Sequence, residues 1–182
     1  MSQLKIIAGQ FKGYSLQTPD SNDVRPTLVR ARKALLDSLG DFDDFKILDL
    51  CAGVGTLGLE IASRGAAEVV CVEKKIEHCD FIKKNFAACS YSNVTVINQD
   101  VRAIDYSRFD KFDLIFADPP YALSGEIFVS LTESNSFKKL IQDSKLIWEL
   151  PSVLEDVMLF YKSEIFRSGN IKICGGTKFL FF

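Results

Sequence analysis

The stretch KILDLCAGVGTLGLEIASRGAAEVVCVE, residues 46–73, decides the fold. It reads as strand, glycine turn, helix and strand, with an acidic residue near the end of each strand. Ile47, Leu48 and Leu50 form the short apolar run of a strand covered on both faces of a parallel sheet. Asp49 interrupts that run, and a carboxylate in such a setting is costly unless something binds it. Gly53, Val54 and Gly55 turn the chain tightly, because glycine adopts positive φ readily and lets a ligand approach the backbone. Thr56 to Ser63 has helical spacing, with Leu57, Ile61 and Leu59 expected to face inward. Glu68 to Val72 reads as a second strand, and Glu73 follows directly. The pattern places a nucleotide-type ligand at the carboxyl ends of the first two strands of a doubly wound sheet.

Gly53, Gly55 and Gly58 match G-x-G-x-x-G, and Glu73 stands about 20 residues further on, as a dinucleotide fold requires. Two features argue for S-adenosylmethionine instead. A pyrophosphate gains nothing from Asp49, whereas the cationic amino-acid end of a ligand does. The second feature is Asp118-Pro119-Pro120-Tyr121, which directly follows the apolar run DLIFA and has no place in hydride transfer. Glu73 suits either ligand, since a carboxylate accepts from both hydroxyls of an adenosine ribose.

The Asp-Pro-Pro-Tyr segment has its own chemistry. An exocyclic amine on a purine is a poor nucleophile, because its lone pair is delocalised into the ring. Acceptors on both N–H bonds favour a pyramidal nitrogen with a localised lone pair. Asp118 offers one acceptor and the Pro119 carbonyl the other. Pro119 and Pro120 fix φ and donate nothing, so the loop is stiff. Tyr121 can stack on the base. Either Asp118 or water takes the leaving proton. A base paired in a helix cannot present its amine, so the target is single-stranded or extruded.

Outward from this centre, Lys5–Ala8 and Tyr14–Gln17 alternate around GQFKG and read as a small N-terminal hairpin. Thr27 is an N-cap candidate for a helix whose Leu28, Ala31, Leu35 and Leu39 share one face. Arg30 and Lys33 lie opposite. Arg32 falls near the apolar stripe, so its guanidinium is expected to reach along the surface. Helical spacing returns over Lys75 to Ala88, with Ile76, Cys79, Ile82 and Phe86 expected to pack on the sheet. Strands are expected at Val94–Ile97, Phe112–Ala117 and Leu146–Trp148. Ile171–Cys174 and Phe179–Phe182 around Gly175-Gly176 form a C-terminal hairpin. Asp100 closes the third strand, placed either to meet a ligand's base amine or to cap a helix.

The composition is that of an ordinary globular domain, 47% apolar and 25% charged, and 182 residues suffice for one α/β core. No stretch offers the ~18 apolar residues of a membrane helix, and MSQLKIIAGQ lacks a signal-peptide core. Five cysteines occur without a C-x-x-C pair. That count suits a reducing cytoplasm and argues against a disulfide framework or a zinc site. His78, the lone histidine, is read as a surface or partly buried helix residue. The net charge of −2 is unevenly spread. Residues 1–35 carry six basic side chains against Asp20 and Asp23, a balance of +4, leaving −6 for the rest. A basic arm on an acidic body is a device for phosphate contact.

With these residues in hand, the chain resembles the RsmD family of bacterial 16S ribosomal RNA guanine-N2 methyltransferases. The resemblance runs through IIAGQFKGYSLQTP, the RPT entry to the Arg30–Arg32 helix, LDLCAGVGTLGLEIASRGAAEVVCVE, ADPPY and the GGTKFLFF hairpin. Ser63-Arg64-Gly65-Ala66 and RPT are its more specific parts; the glycine loop and DPPY are shared with adenine-N6 methyltransferases. It implies an α/β, Rossmann-like class I fold with a seven-stranded, mostly parallel sheet, ending in an antiparallel hairpin. It implies one domain, with residues 1–26 as an RNA-contacting arm and 27–182 as the catalytic fold. By position, Asp49, Ala52, Gly53, Gly55, Glu73 and Asp100 would hold S-adenosylmethionine, and Asp118, Pro119, Pro120 and Tyr121 would hold the guanine amine. Lys12, Arg25, Arg30 and Arg32 would approach RNA. The partner would be 16S rRNA in the small subunit or an assembly intermediate, met in the cytoplasm by a monomer using no metal. On the residues alone, an adenine-N6 methyltransferase, a dinucleotide-dependent oxidoreductase and a non-catalytic RNA-binding assembly factor stay open.

Overall fold

The structure, a computed structural model, describes residues 4–19, 26–151 and 158–182. Seven strands form one sheet: β1 Lys46–Leu50, β2 Glu68–Glu73, β3 Val94–Asn98, β4 Leu114–Ala117, β5 Lys145–Glu149, β6 Asn170–Cys174 and β7 Thr177–Phe181. Their order is β3-β2-β1-β4-β5-β7-β6. The first five run parallel, β7 is antiparallel to β5, and β6 is antiparallel to β7. The chain leaves β1 toward one edge and later returns to lay β4 on its other side. The crevice where this order reverses, at the carboxyl ends of β1 and β4, is where open α/β sheets bind ligands.

Strict alternation along the strands sends two sets of side chains to two covered faces. On one face Leu48, Leu50, Ile115 and Trp148 meet Phe128, Leu131, Phe137 and Ile141 of α4 (Tyr121–Glu133) and α5 (Asn135–Gln142). On the other, Ile47, Val69, Leu114 and Phe116 meet α1 (Pro26–Leu39), α2 (Thr56–Ser63) and α3 (Ile76–Ala88). A short α6, Glu164–Ser168, precedes β6.

Several expectations change in detail. Helix α1 begins at Pro26, so Thr27 lies inside its first turn and does not cap it; proline suits a first helical position because its missing N–H would be unpaired there anyway. Ile76 is 60% exposed, since it is the first residue of α3 and has no preceding turn to cover it. In α2, Leu59 and Ile61 are fully buried, whereas Leu57 is half-buried and turns toward the cavity described below. The N-terminal segment pairs as foreseen, with an antiparallel bridge between Lys5 and Ser15. It is not a free arm, however. The amides of Ile7 and Ala8 donate to the buried Glu60 carboxylate at 2.8 and 3.0 Å. Phe11 N–H donates to Ser63 Oγ and Gln17 N–H to Asn85 Oδ1. Ile6 and Leu16 sit in the core.

Candidate active site

The site is built where three strand ends and one helix start converge. Between β1 and α2 the backbone takes positive φ at Cys51, Gly53 and Gly55. At Gly53 an added Cβ would meet no atom within 4 Å, so the loop faces open space there. Gly58 serves closeness instead of curvature, because a Cβ on it would meet Val69 at 3.0 Å and Asp49 Oδ2 at 3.2 Å. The Gly58 amide donates to Asp49 Oδ2 at 3.1 Å. Asp49 is 2% exposed, and burial pushes its carboxyl up to about 7. The Gly58 hydrogen bond opposes that rise and the charge on Glu73 adds to it. Glu73 ends β2 with its two oxygens accepting from Gly53 N–H at 2.9 Å and Lys75 N–H at 2.8 Å. The carboxylate therefore shapes the glycine loop as well as facing the space beside it.

A cavity of about 1110 Å³ links this loop to the Asp-Pro-Pro-Tyr segment. It is lined on one side by Asp49, Gly53, Glu73, His78 and Asp100, and on the other by Asp118, Pro119, Pro120 and Tyr121. Sequence positions separated by some 70 residues thus share one hollow. Asp118 is exposed, Pro119 buried, and α4 begins at Tyr121. The Pro120 carbonyl accepts from Leu123 N–H at 2.9 Å, closing the first turn of α4. Tyr121 was expected to hold a base by stacking; its hydroxyl is tied to Glu149 Oε1 at 2.8 Å.

Asp100 lines the cavity, and it also caps a helical turn. Its Oδ1 accepts from Arg102 N–H, and its carboxylate pairs with Arg102 at 2.7 Å and Lys74 at 3.0 Å. The Arg102 hydrogen bond holds this carboxyl well below the usual range. His78 is half-buried with Nδ1 3.9 Å from Glu73 Oε1.

The RNA-side candidates are spread apart. Lys12 and Arg30 are exposed, and Arg25 lies outside the described residues. Arg32 does not reach along the surface. Its side chain is only 10% exposed, with Nη2 donating to the Lys5 carbonyl at 3.0 Å and Nε 3.9 Å from Glu60. Burial lowers its affinity for the proton, and Glu60 counteracts this. The spacing that put Arg32 by the apolar stripe already pointed inward, but a buried Glu60 was needed to receive it.

Two residues escaped the sequence reading. Glu149 closes β5 as Glu73 closes β2, and an acid ending a buried strand was the available signal. Asn85 carried none: its amide bonds Gln17 on the N-terminal segment and the Val54 carbonyl in the glycine loop.

Known proteins agree with this architecture. The chain is similar to ribosomal RNA small subunit methyltransferase D of Escherichia coli K12, 33% identical over 148 residues, covering 80% of this chain and 73% of that one. Among solved structures it is similar to the Escherichia coli protein yhhF, with a TM-score of 0.76 and 27% identity over 99% of this chain and 97% of that one. It is also similar to a hypothetical protein of Thermus thermophilus, with a TM-score of 0.72 and 26% identity over 97% of both chains. The family described as Conserved hypothetical protein 95 matches residues 4–182, and the chain belongs to that family, the RsmD family, with the seven-stranded sheet of a class I methyltransferase fold.

Proposed function

We propose that the protein is an S-adenosylmethionine-dependent methyltransferase that modifies the exocyclic N2 of a guanine in 16S rRNA, on the small ribosomal subunit or an assembly intermediate in the cytoplasm. The observation that supports this reading is the shared cavity, lined both by the buried Asp49 carboxylate beside the glycine loop and by the Asp118–Tyr121 turn. The residues present suit the cofactor. Asp49 is a carboxylate whose pKa burial and the charge on Glu73 push up, and an ammonium group beside it would favour its charged form. Glu73 keeps lone pairs for ribose hydroxyls, and Gly53 leaves room for a ligand at the loop. When bound, S-adenosylmethionine supplies a methyl group already activated on a sulfonium.

The protein's own task is therefore alignment more than activation. The Asp118 carboxylate and the Pro119 carbonyl accept from the two N–H bonds of the target amine and localise its lone pair. The Pro120 carbonyl is committed to α4, which leaves its neighbour as the backbone acceptor of the turn. Tyr121 is held by Glu149 and gives the base a fixed flank. Asp118 stands at an exposed edge, where the released proton reaches it or solvent. Lys12 and Arg30 contribute charge toward the RNA backbone.

The deciding experiment supplies methyl-labelled cofactor with small-subunit particles or free rRNA, then digests the product to nucleosides. Labelled N2-methylguanosine is expected. Labelled N6-methyladenosine would overturn the assignment, as would calorimetric preference for NAD(H) over S-adenosylhomocysteine.

A further inference from the structure

One buried acid in the cavity is not used by the transfer chemistry above. Glu149 is 5% exposed and lines the cavity at the carboxyl end of β5. Register pairs Ala117 with Trp148, so Glu149 lies one step on, beside Asp118. Its antiparallel partner on β7 is Phe179, and the Phe179 ring lies 6.3 Å from that of Phe116. Both rings also line the cavity, together with Leu35. Alternation along β4 and β5 puts Phe116, Asp118 and Glu149 on the same side of the sheet. A planar base entering this lobe finds an aromatic wall and two carboxylates at neighbouring strand ends.

The chemistry of that pair discriminates between purines. A carboxylate is an acceptor only. The pairing edge of guanine presents N1–H next to the 2-amino group, so it offers donors to both acids. Adenine presents a bare N1 lone pair beside its amine, which would face the second carboxylate with no proton between them. In a buried lobe such an unmatched pairing is strongly disfavoured.

We propose that Glu149 is a specificity-determining residue that accepts the N1–H of the target guanine while Asp118 and the Pro119 carbonyl hold its N2 amine. Tyr121, bonded to Glu149 at 2.8 Å, fixes the carboxylate's orientation. The inference rests on the guanine-N2 reading and explains how a turn shared with adenine enzymes would be restricted to guanine.

The test first maps the methylated nucleotide in the wild-type product, then places either guanine or 2-aminopurine there by RNA ligation. 2-Aminopurine keeps the amine but has a bare N1. The wild-type protein is expected to prefer guanine by about 100-fold or more in kcat/KM. Glu149→Gln, whose amide can donate to a bare N1, should lower activity on guanine and shrink that preference about tenfold or more. Tyr121→Phe, which loses only the hydroxyl, should slow both substrates while leaving more of the preference intact than Glu149→Gln does. Equal wild-type rates on the two bases would overturn the proposal. So would a Glu149→Gln variant of unchanged melting temperature that slows both bases by one common factor. N6-methyladenosine in the wild-type digest would instead bring down the guanine reading itself, before any variant is compared.

Discussion

Asp49 sits 2% exposed with one oxygen on the Gly58 amide, and its carboxyl titrates near 7 instead of the ordinary 3.8. A folded value above the unfolded one means that the protonated form is favoured by folding. The contribution is complete below pH 3.8 and is lost as pH climbs through about 7. A cationic ligand group reverses the preference by stabilising the charged form. The stabilisation conferred by S-adenosylhomocysteine should therefore grow from pH 6 to pH 8 in thermal melts, and Asp49→Asn should flatten that dependence. Asp118 and Glu73 separate by kinetics. Asp118→Ala should cut kcat by about 100-fold with little change in cofactor Kd. Glu73→Ala, which also releases Gly53 N–H, should raise that Kd about tenfold before it touches turnover.

At the scale of elements, α2 carries two duties. Its first turn faces the cavity, and its Glu60, fully buried, gathers the Ile7 and Ala8 amides with Arg64 and Arg32. Arg32→Ala should cost about 2 kcal/mol in urea unfolding, chiefly through the lost bond to Lys5. Glu60→Ala should cost roughly 3–5 kcal/mol, because it removes the buried counter-charge of Arg32 and Arg64 and the acceptor of the Ile7 and Ala8 amides. Periodicity revealed α1, α2 and α3 because each alternates apolar and polar faces. It did not reveal α4, whose buried side includes Ser124, Gly125 and Thr132. There a Ser124 hydroxyl accepts from Trp148 Nε1 at 3.0 Å, and a polar residue satisfied by a distant strand looks like surface in one dimension. The acids Asp49, Glu73 and Asp118 at the ends of parallel strands, by contrast, stood out in the sequence because burial leaves such charges few places to go, although Glu149 at the end of β5 was passed over.

Across the whole molecule, the sheet order brings Asp49, the loop at Gly53, Glu73, Asp100 and residues 118–121 around one cavity, and local motifs singled out each of them in the sequence. The reach of the cavity toward Leu4, Leu35 and Phe179 could not, since it depends on how β7 and α1 close over the strand ends. The basic charge of the N-terminal quarter is likewise divided by folding between surface and interior. Lys12→Ala and Arg30→Ala should each reduce the slope of log affinity against log salt by about 0.7–0.9 for RNA, measured by filter binding. Arg32→Ala should change it less, because that guanidinium is engaged by the Lys5 carbonyl and lies beside the Glu60 carboxylate.

The seating of the first strand pair has a practical outcome for anyone shortening the chain. A version starting at Pro26 would lack Ile6 and Leu16, opening an oily trough over α2. It would also strip Asn85 of its Gln17 contacts, leaving that amide to support the Val54 carbonyl unaided. What looks like a detachable leader is a keystone, and its removal should yield aggregation and a slack nucleotide loop together.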